Sequence, residues 1–249
     1  MLAYMTLWYV VSILTKRTDV VDSAWGLGFV VTAWLTLAIY GNWRLVSVLS
    51  ACLVSLWGIR LFAHVAGRNW RKTTDDHRYT SMRAKWGRDE KRKIYTNIFL
   101  LQGALVLLVS APMIAIGTSQ AGINAGVWLG WIVWLFGIVY EAVADRQLST
   151  FLGQRPTGSH AIMQKGLWKY SRHPNYFGEI TTWWGASFVA VCLGYWWGVL
   201  GSLAITVLIT KISGLPPLEK HYADNADYKR YAKNTPALIP FVGKKGVHA

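Results

Sequence analysis

Long apolar runs separated by short polar stretches organise this chain. Seven windows are mostly apolar over near-spanning lengths: roughly 1–15, 22–40, 44–66, 95–117, 124–145, 177–194 and 196–213. About 20 such residues in a helix cross the hydrocarbon core of a bilayer. The first window and the last two are short, and the last pair fits a tight hairpin. The pattern predicts an all-α, polytopic integral membrane protein with about seven transmembrane helices. The first window lacks the cleavage-site chemistry of a signal peptide and is expected to be a retained helix. No linker, repeat or low-complexity tract interrupts residues 1–249, which predicts a single membrane domain. Gly126–Gly130 and Gly194–Gly198 have the spacing of small residues that lets membrane helices approach closely.

Composition agrees with the pattern. The chain is 53% hydrophobic and only 15% charged, less charge than a soluble domain of this length carries. The net charge of +14 invites a nucleic-acid partner, but its placement argues against one. Ten Lys/Arg fall between Arg68 and Lys93, five between Arg146 and Arg172, and seven from Lys211 onward, with Lys16 and Arg17 after the first window. With seven spans, all these loops share one side. Basic loops stay in the cytosol, which predicts an external N-terminus and a cytosolic C-terminus. The 68–93 segment, with Trp70, Tyr79 and Trp86 among its basic residues and a short helix expected at 76–86, reads as an anchor to anionic lipid or as a contact for cofactor phosphates. Cys52 and Cys192 lie inside predicted helices and read as buried small hydrophobes rather than a disulfide.

Four polar clusters could carry chemistry. The densest runs from Gly166 to Glu179, where a basic loop enters the sixth span. Pro174 suits a first helical position. The helix start presents free N–H groups and positive partial charge, and Lys169, Arg172 and His173 add charge there, an arrangement suited to a pyrophosphate. Asn175, Glu179 and Trp183 recur at i, i+4, i+8, so hydrogen-bonding groups sit above a flat ring, as the amide and ring of a nucleotide cofactor would need. The competing view is a capped loop at the headgroups, which leaves a costly intramembrane Glu without a task. A second cluster sets Glu141 and Asp145 on one face of the fifth span, either for function or to balance nearby Arg.

The third is the tail from Pro216 to Pro240. It predicts a cytosolic helix, a turn near Asn225, a second short helix and a return to the membrane at 237–242. Its Tyr228 and Tyr231, with Lys220, Lys229 and Arg230, could stack on a purine and pair phosphates; the alternative is an amphipathic helix lying on the bilayer. The fourth gathers Asp19, Asp22, Ser23 and Trp25 with Trp57, Arg60, His64 and Arg68. Here Arg60 either snorkels or pairs with Asp22, and His64 reads as packing. There is no Rossmann glycine fingerprint, Walker loop, zinc-protease helix, C-x-x-C pair or nucleophile elbow. Any nucleotide must then be held by membrane helices and their loops, and a metal is not expected.

The stretch Ser171-Arg172-His173-Pro174-Asn175-Tyr176-Phe177-Gly178-Glu179, with Glu219, Tyr228, Tyr231 and the closing Thr235-Pro236-Ala237-Leu238-Ile239-Pro240, resembles the C-terminal region of the steroid 5α-reductase superfamily over about 141–243. With Asp19-Val20-Val21-Asp22-Ser23-Ala24-Trp25 it is similar to that superfamily's bacterial DUF1295 branch, which implies a bacterial inner membrane. The Arg-His-Pro core is shared with isoprenylcysteine carboxyl methyltransferases; Asn175 and Glu179 favour the reductase form. That resemblance implies seven helices binding NADPH from the cytosolic side. It implies that Asn175, Tyr176, Glu179 and Trp183 meet the nicotinamide end, with Glu179 and Tyr176 as catalytic candidates. Asp145, with Glu141, would face the adenosine side, and Glu219, Lys220, Tyr228 and Tyr231 would supply tail contacts. Asp22 would stand for the substrate-holding Glu of steroid reductases, with Trp25, Trp57 and Arg60 around the substrate. Trp57 falls where those enzymes carry a Tyr, and an indole donates no phenolic proton.

Together these features predict an NADPH-dependent reductase of a C=C bond in a lipophilic, steroid-like or other enone or lipid substrate. An S-adenosylmethionine-dependent lipid or prenyl methyltransferase is the first rival, and a non-enzymatic sterol- or lipid-binding protein the second.

Overall fold

The computed structural model describes residues 1–70, 74–156, 159 and 161–242, the side chains of Trp70, His77 and Arg78 excepted. The anchoring expected of Trp70, Arg71 and Lys72 lies outside the described residues. Among those residues every regular element is helical. The first half holds α1 (Leu2–Thr15), α2 (Val20–Tyr40), α3 (Leu45–Trp70), α4 (His77–Trp86), α5 (Glu90–Ile94), α6 (Leu101–Val109) and α7 (Ala111–Thr118). The second holds α8 (Ala125–Gln154), α9 (Pro174–Cys192), α10 (Val199–Val207), α11 (Leu215–His221) and α12 (Ala226–Asn234). π-Helical stretches at Tyr95–Leu100 and Leu208–Ile212 continue α5 into α6 and extend α10.

All seven apolar windows are helical. Five stretches among the described residues are long and apolar enough to cross a membrane: Val20–Tyr40, Leu45–Asn69, Tyr79–Val109, Ala125–Gln154 and Trp196–His221. The expected count of seven is not reached on this measure. At 14 residues α1 is short. The 19-residue α9 is long enough, but Asn175, Glu179, Thr181 and Thr182 dilute its apolar character. The architecture is therefore that of an all-helical membrane protein, with five stretches among the described residues long and apolar enough to cross.

Local signals explain the boundaries. Lys16 and Gly41 turn left-handed, at φ 56° and 60°, to close α1 and α2. Asn124 and Asn225 cap α8 and α12 by accepting the N–H groups of Val127 (3.0 Å) and Tyr228 (2.9 Å). α8 shows the pattern of a lipid-facing helix. Leu129, Ile132, Leu135, Phe136, Val139 and Val143 point outward, whereas Trp134, Glu141, Ala144 and Asp145 are buried. Lipid tolerates an apolar exterior, so the carboxylates go inside.

The chain divides into two compact units: Met1–Ile123 with Leu193–Gly201, and Asn124–Cys192 with the residues from Ser202 onward. In the first, α2 and α3 meet backbone to backbone. A Cβ on Gly26 would lie 2.6 Å from the Gly58 carbonyl oxygen. In the second, α8 and α9 pack along their length. A Cβ on Gly178 would lie 2.6 Å from the Glu141 nitrogen, and one on Gly130 the same distance from Val189 Cγ2. Gly126 and Gly130 thus pack helices, as their spacing predicts. Gly194 does not: its φ is +92° and a Cβ there would meet nothing within 4 Å, so it serves a turn. Cys52 is also exposed rather than buried, because it lines up with the outward Leu56 and Ile59 on α3.

Candidate functional site

In the second unit, the buried stripe of α8 brings Glu141 and Asp145 to the start of α9; they are 3% and 7% exposed. The Asn175 side-chain amide donates to Asp145 Oδ1 at 3.2 Å. That bond fixes the amide's orientation and turns its oxygen the other way. Asn175 Oδ1 is buried and has no hydrogen-bond partner. One turn further along α9 comes half-buried Glu179, and one turn beyond it the fully buried Trp183. The predicted stripe therefore stands on one helix, with an unmet acceptor at its head. A buried polar atom left unpaired costs about 1–3 kcal/mol, so this oxygen calls for a donor.

At the head of the stripe, the tail is fastened to the start of α9. Glu219 Oε1 receives Arg172 Nε at 2.9 Å and the Tyr228 hydroxyl at 2.8 Å, and His173 Nε2 lies 3.0 Å away. Arg172 Nη1 also donates to the carbonyls of Ala232 (3.1 Å) and Thr235 (2.9 Å). Its backbone N–H donates to Pro236 at 2.9 Å. The sequence pattern set Arg172 beside phosphates; in this geometry its Nε and Nη1 hold α11 and α12 in place. Tyr231 donates to the carbonyls of Trp168 and Ser171. Burial raises the Tyr228 hydroxyl far above its ordinary value, and the hydrogen bond to Glu219 adds to it; burial raises Tyr231 as well. Both phenols therefore remain neutral donors at physiological pH.

The remaining predicted residues of this unit are placed as follows. The Tyr176 ring stacks on His173 at 5.7 Å. Lys169 lies over the Tyr170 ring at 5.9 Å, and Lys220 is exposed. Two supports were not singled out as site residues from sequence. Gln147 Oε1 accepts the Leu167 N–H at 2.9 Å, and Trp168 Nε1 donates to the Ala144 carbonyl at 3.1 Å. Together they fix the loop that leads to Arg172.

In the first unit, the Tyr79 hydroxyl donates to Asp22 Oδ1 at 2.6 Å. Sequence marked Asp22 as a candidate but placed Tyr79 only in a segment read as a lipid anchor or a contact for cofactor phosphates. The one available signal was its place in the first turn of the predicted 76–86 helix. Trp57 is fully buried against Phe29 at 5.6 Å, and Trp25 packs on the same ring at 5.2 Å. These two indoles pack around Phe29 on α2. Arg60 is half-buried on α3.

Known proteins share parts of this chain. It is 29% identical over 132 residues to the 3-oxo-5-alpha-steroid 4-dehydrogenase 1 of Rattus norvegicus, a match covering 50% of this chain and 48% of that relative. It is 27% identical over 200 residues to an uncharacterized protein of Schizosaccharomyces pombe, covering 70% of this chain and 57% of that relative. The chain thus spans about half the length of the curated relatives it matches. No solved structure matches it significantly. A family profile described as "Protein of unknown function (DUF1295)" matches residues 8–235, nearly the whole chain, and the chain belongs to that family.

Proposed function

We propose that this protein is a membrane-embedded, NADPH-dependent reductase of a C=C bond in a lipophilic substrate such as an enone. The observation that carries the proposal is the buried, unmatched Asn175 Oδ1 at the head of a stripe lined by Asp145, Glu141 and Glu179. A carboxamide NH2 fits that acceptor, and buried carboxylates suit further N–H or O–H donors. The nicotinamide supplies hydride chemistry when bound. Asn175, oriented by Asp145, holds the carboxamide; Glu179 and Trp183 continue the contact along α9. The tail, latched through Glu219, keeps Tyr228 and Tyr231 in place over the loop. In the first unit, the Tyr79 hydroxyl, which donates its one proton to Asp22 Oδ1 at rest, turns that proton to a substrate carbonyl when substrate binds. Similarity to a steroid dehydrogenase supports the lipophilic substrate class. The basic segments orient the chain with its C-terminus in the cytosol.

The test is ligand protection of the purified protein in detergent. NADPH raises the melting temperature, because a ligand that binds only the native state stabilises it. Stabilisation by S-adenosylmethionine with no effect of NADPH would make the protein a methyltransferase instead. Saturable lipid binding with neither cofactor effective would make it a lipid-binding protein.

A further inference from the structure

We infer that Asp75 is a positioning residue that holds the Tyr79 hydroxyl on Asp22. This role rests on taking the Asp22–Tyr79 pair as the proton-donating pair of the proposed reaction.

The Asp75 side chain is 7% exposed and receives four donors. Its Oδ2 accepts the Thr18 N–H at 3.0 Å and Arg83 Nη1 at 3.2 Å. Its Oδ1 accepts the N–H groups of Asp19 and Asp76, both at 3.0 Å. Both oxygens are therefore saturated, and the charge is met by a guanidinium.

These donors belong to the two segments that carry the pair. Thr18 and Asp19 form the entry to α2, and their carbonyls accept the N–H groups of Val21 and Asp22 at 3.2 Å. Asp22 thus stands on the turn that Asp75 grips. On the other side, the Asp76 carbonyl accepts the N–H groups of Tyr79 (3.0 Å) and Thr80 (3.1 Å), which starts α4 on the residue next to Asp75. Arg83, one turn after Tyr79, holds Asp75 from within α4 and braces itself on Glu90 Oε1 at 2.6 Å. The bonds close a circuit from Asp75 through the α2 entry to Asp22, across to the Tyr79 hydroxyl, and back through the first turn of α4. Asp22 and Tyr79 are 57 residues apart. Asp75's bonds to Thr18 and Asp19 are a further tie between their segments. A hydrogen bond as short as 2.6 Å between groups on different segments needs such a tie to keep its geometry.

The experiment labels the full-length protein in detergent with 3-fluorotyrosine and follows fluorine NMR. The Tyr79 signal is the one lost in Tyr79→Phe. Asp22→Asn defines how far that signal moves when its acceptor changes. Asp75→Ala moves it in the same direction as Asp22→Asn, and Asp75→Glu restores part of the displacement while the other tyrosine signals of the fold stay put. A wild-type Tyr79 signal in folded Asp75→Ala would overturn the inference and leave Asp75 as a simple cap of α2. Should Asp75→Ala not fold, Asp75→Asn decides in its place. Asn keeps one acceptor oxygen but sets an NH2 against two of the four donors, so an unmoved Tyr79 signal would again overturn the inference. Failure of the underlying reading shows elsewhere: Tyr79→Phe would then reduce an enone reporter as fast as wild type, while the fluorine signals could still couple.

Discussion

The two units solve the same problem with opposite sequence logistics. Each must hold carboxylates beside apolar, lipid-facing helices, and each uses glycines to bring two backbones into contact: Gly26 on Gly58 in the first, Gly178 on Glu141 in the second. In the second unit the polar residues come mostly from one compact stretch. Arg172, His173, Asn175 and Glu179 lie within eight positions, and their partners Asp145, Glu219 and Tyr228 belong to two further motifs. In the first unit the pair Asp22–Tyr79 is assembled across 57 residues and is braced by Asp75 and Arg83. On the proposed function, the contiguous motifs would serve the cofactor and the long-range closures the substrate.

The sharpest break of this comparison would be in topology. The proposed orientation places the basic loops in the cytosol, so reporters placed after Gly41 and after Lys245 should report opposite sides. The same side for both would remove the common orientation, an all-or-none outcome.

Next in size is the tail latch. Glu219→Ala strips the acceptor from Arg172, His173 and Tyr228 at once. Leaving a guanidinium that is only 10% exposed without its carboxylate should cost about 2–4 kcal/mol, the partly exposed Glu219 keeping the loss below that of a fully buried pair. Limited proteolysis should then open the segment after Leu215 while the first unit stays protected. Equal protection in both proteins would mean that the tail is held by other contacts.

The shared glycine device gives a matched pair of perturbations. Gly26→Ala and Gly178→Ala each put a Cβ 2.6 Å from a backbone atom of the facing helix. Helices that cannot separate without losing packing should each lose about 1–3 kcal/mol. Thermal melting of the two variants would show it, and a loss in only one would show that the units differ in how tightly their helix pairs are set.

This symmetry shows what was legible in the sequence and what was not. Apolar runs located the long helices, because segments of near-spanning length have few other stable forms in a membrane. The Asn175–Glu179–Trp183 stripe followed from helical spacing alone. Glu141 and Asp145 were placed on one shared face; that this face is buried, and that Asp145 bonds to Asn175, depends on how α8 and α9 pack, which no local pattern encodes. The charge of Arg172 was visible, but the carbonyls of Ala232 and Thr235 that engage it were not, for the same reason. The Tyr79–Asp22 bond was not foreseen because it is set by loop closure, where a basic, aromatic segment looks like any headgroup anchor.

The smallest expected effect is alkaline loosening of the tail. Tyr228 and Tyr231 have folded values raised above the ordinary 10.0, by burial first and, for Tyr228, by Glu219 next. Each contributes stability that is whole below pH 10, where the unfolded phenol is also protonated, and is lost as pH rises beyond it. Melting temperature should therefore fall more steeply above pH 10 in wild type than in Tyr228→Phe. Parallel curves would mean that Tyr228 ionises as freely in the fold as outside it.

The central claim is that Asn175 and Glu179 grip one nicotinamide carboxamide, and a double-mutant cycle on NADPH affinity tests it most directly. Asn175→Ala removes the unmatched acceptor, and Glu179→Gln keeps size while removing charge. Each should weaken NADPH binding, Asn175→Ala by about 1–3 kcal/mol, and the double variant should be non-additive by about 0.5–3 kcal/mol, because groups on one ligand moiety couple. Equal NADPH affinity in wild type and all three variants would contradict the account and reduce this stripe to helix packing.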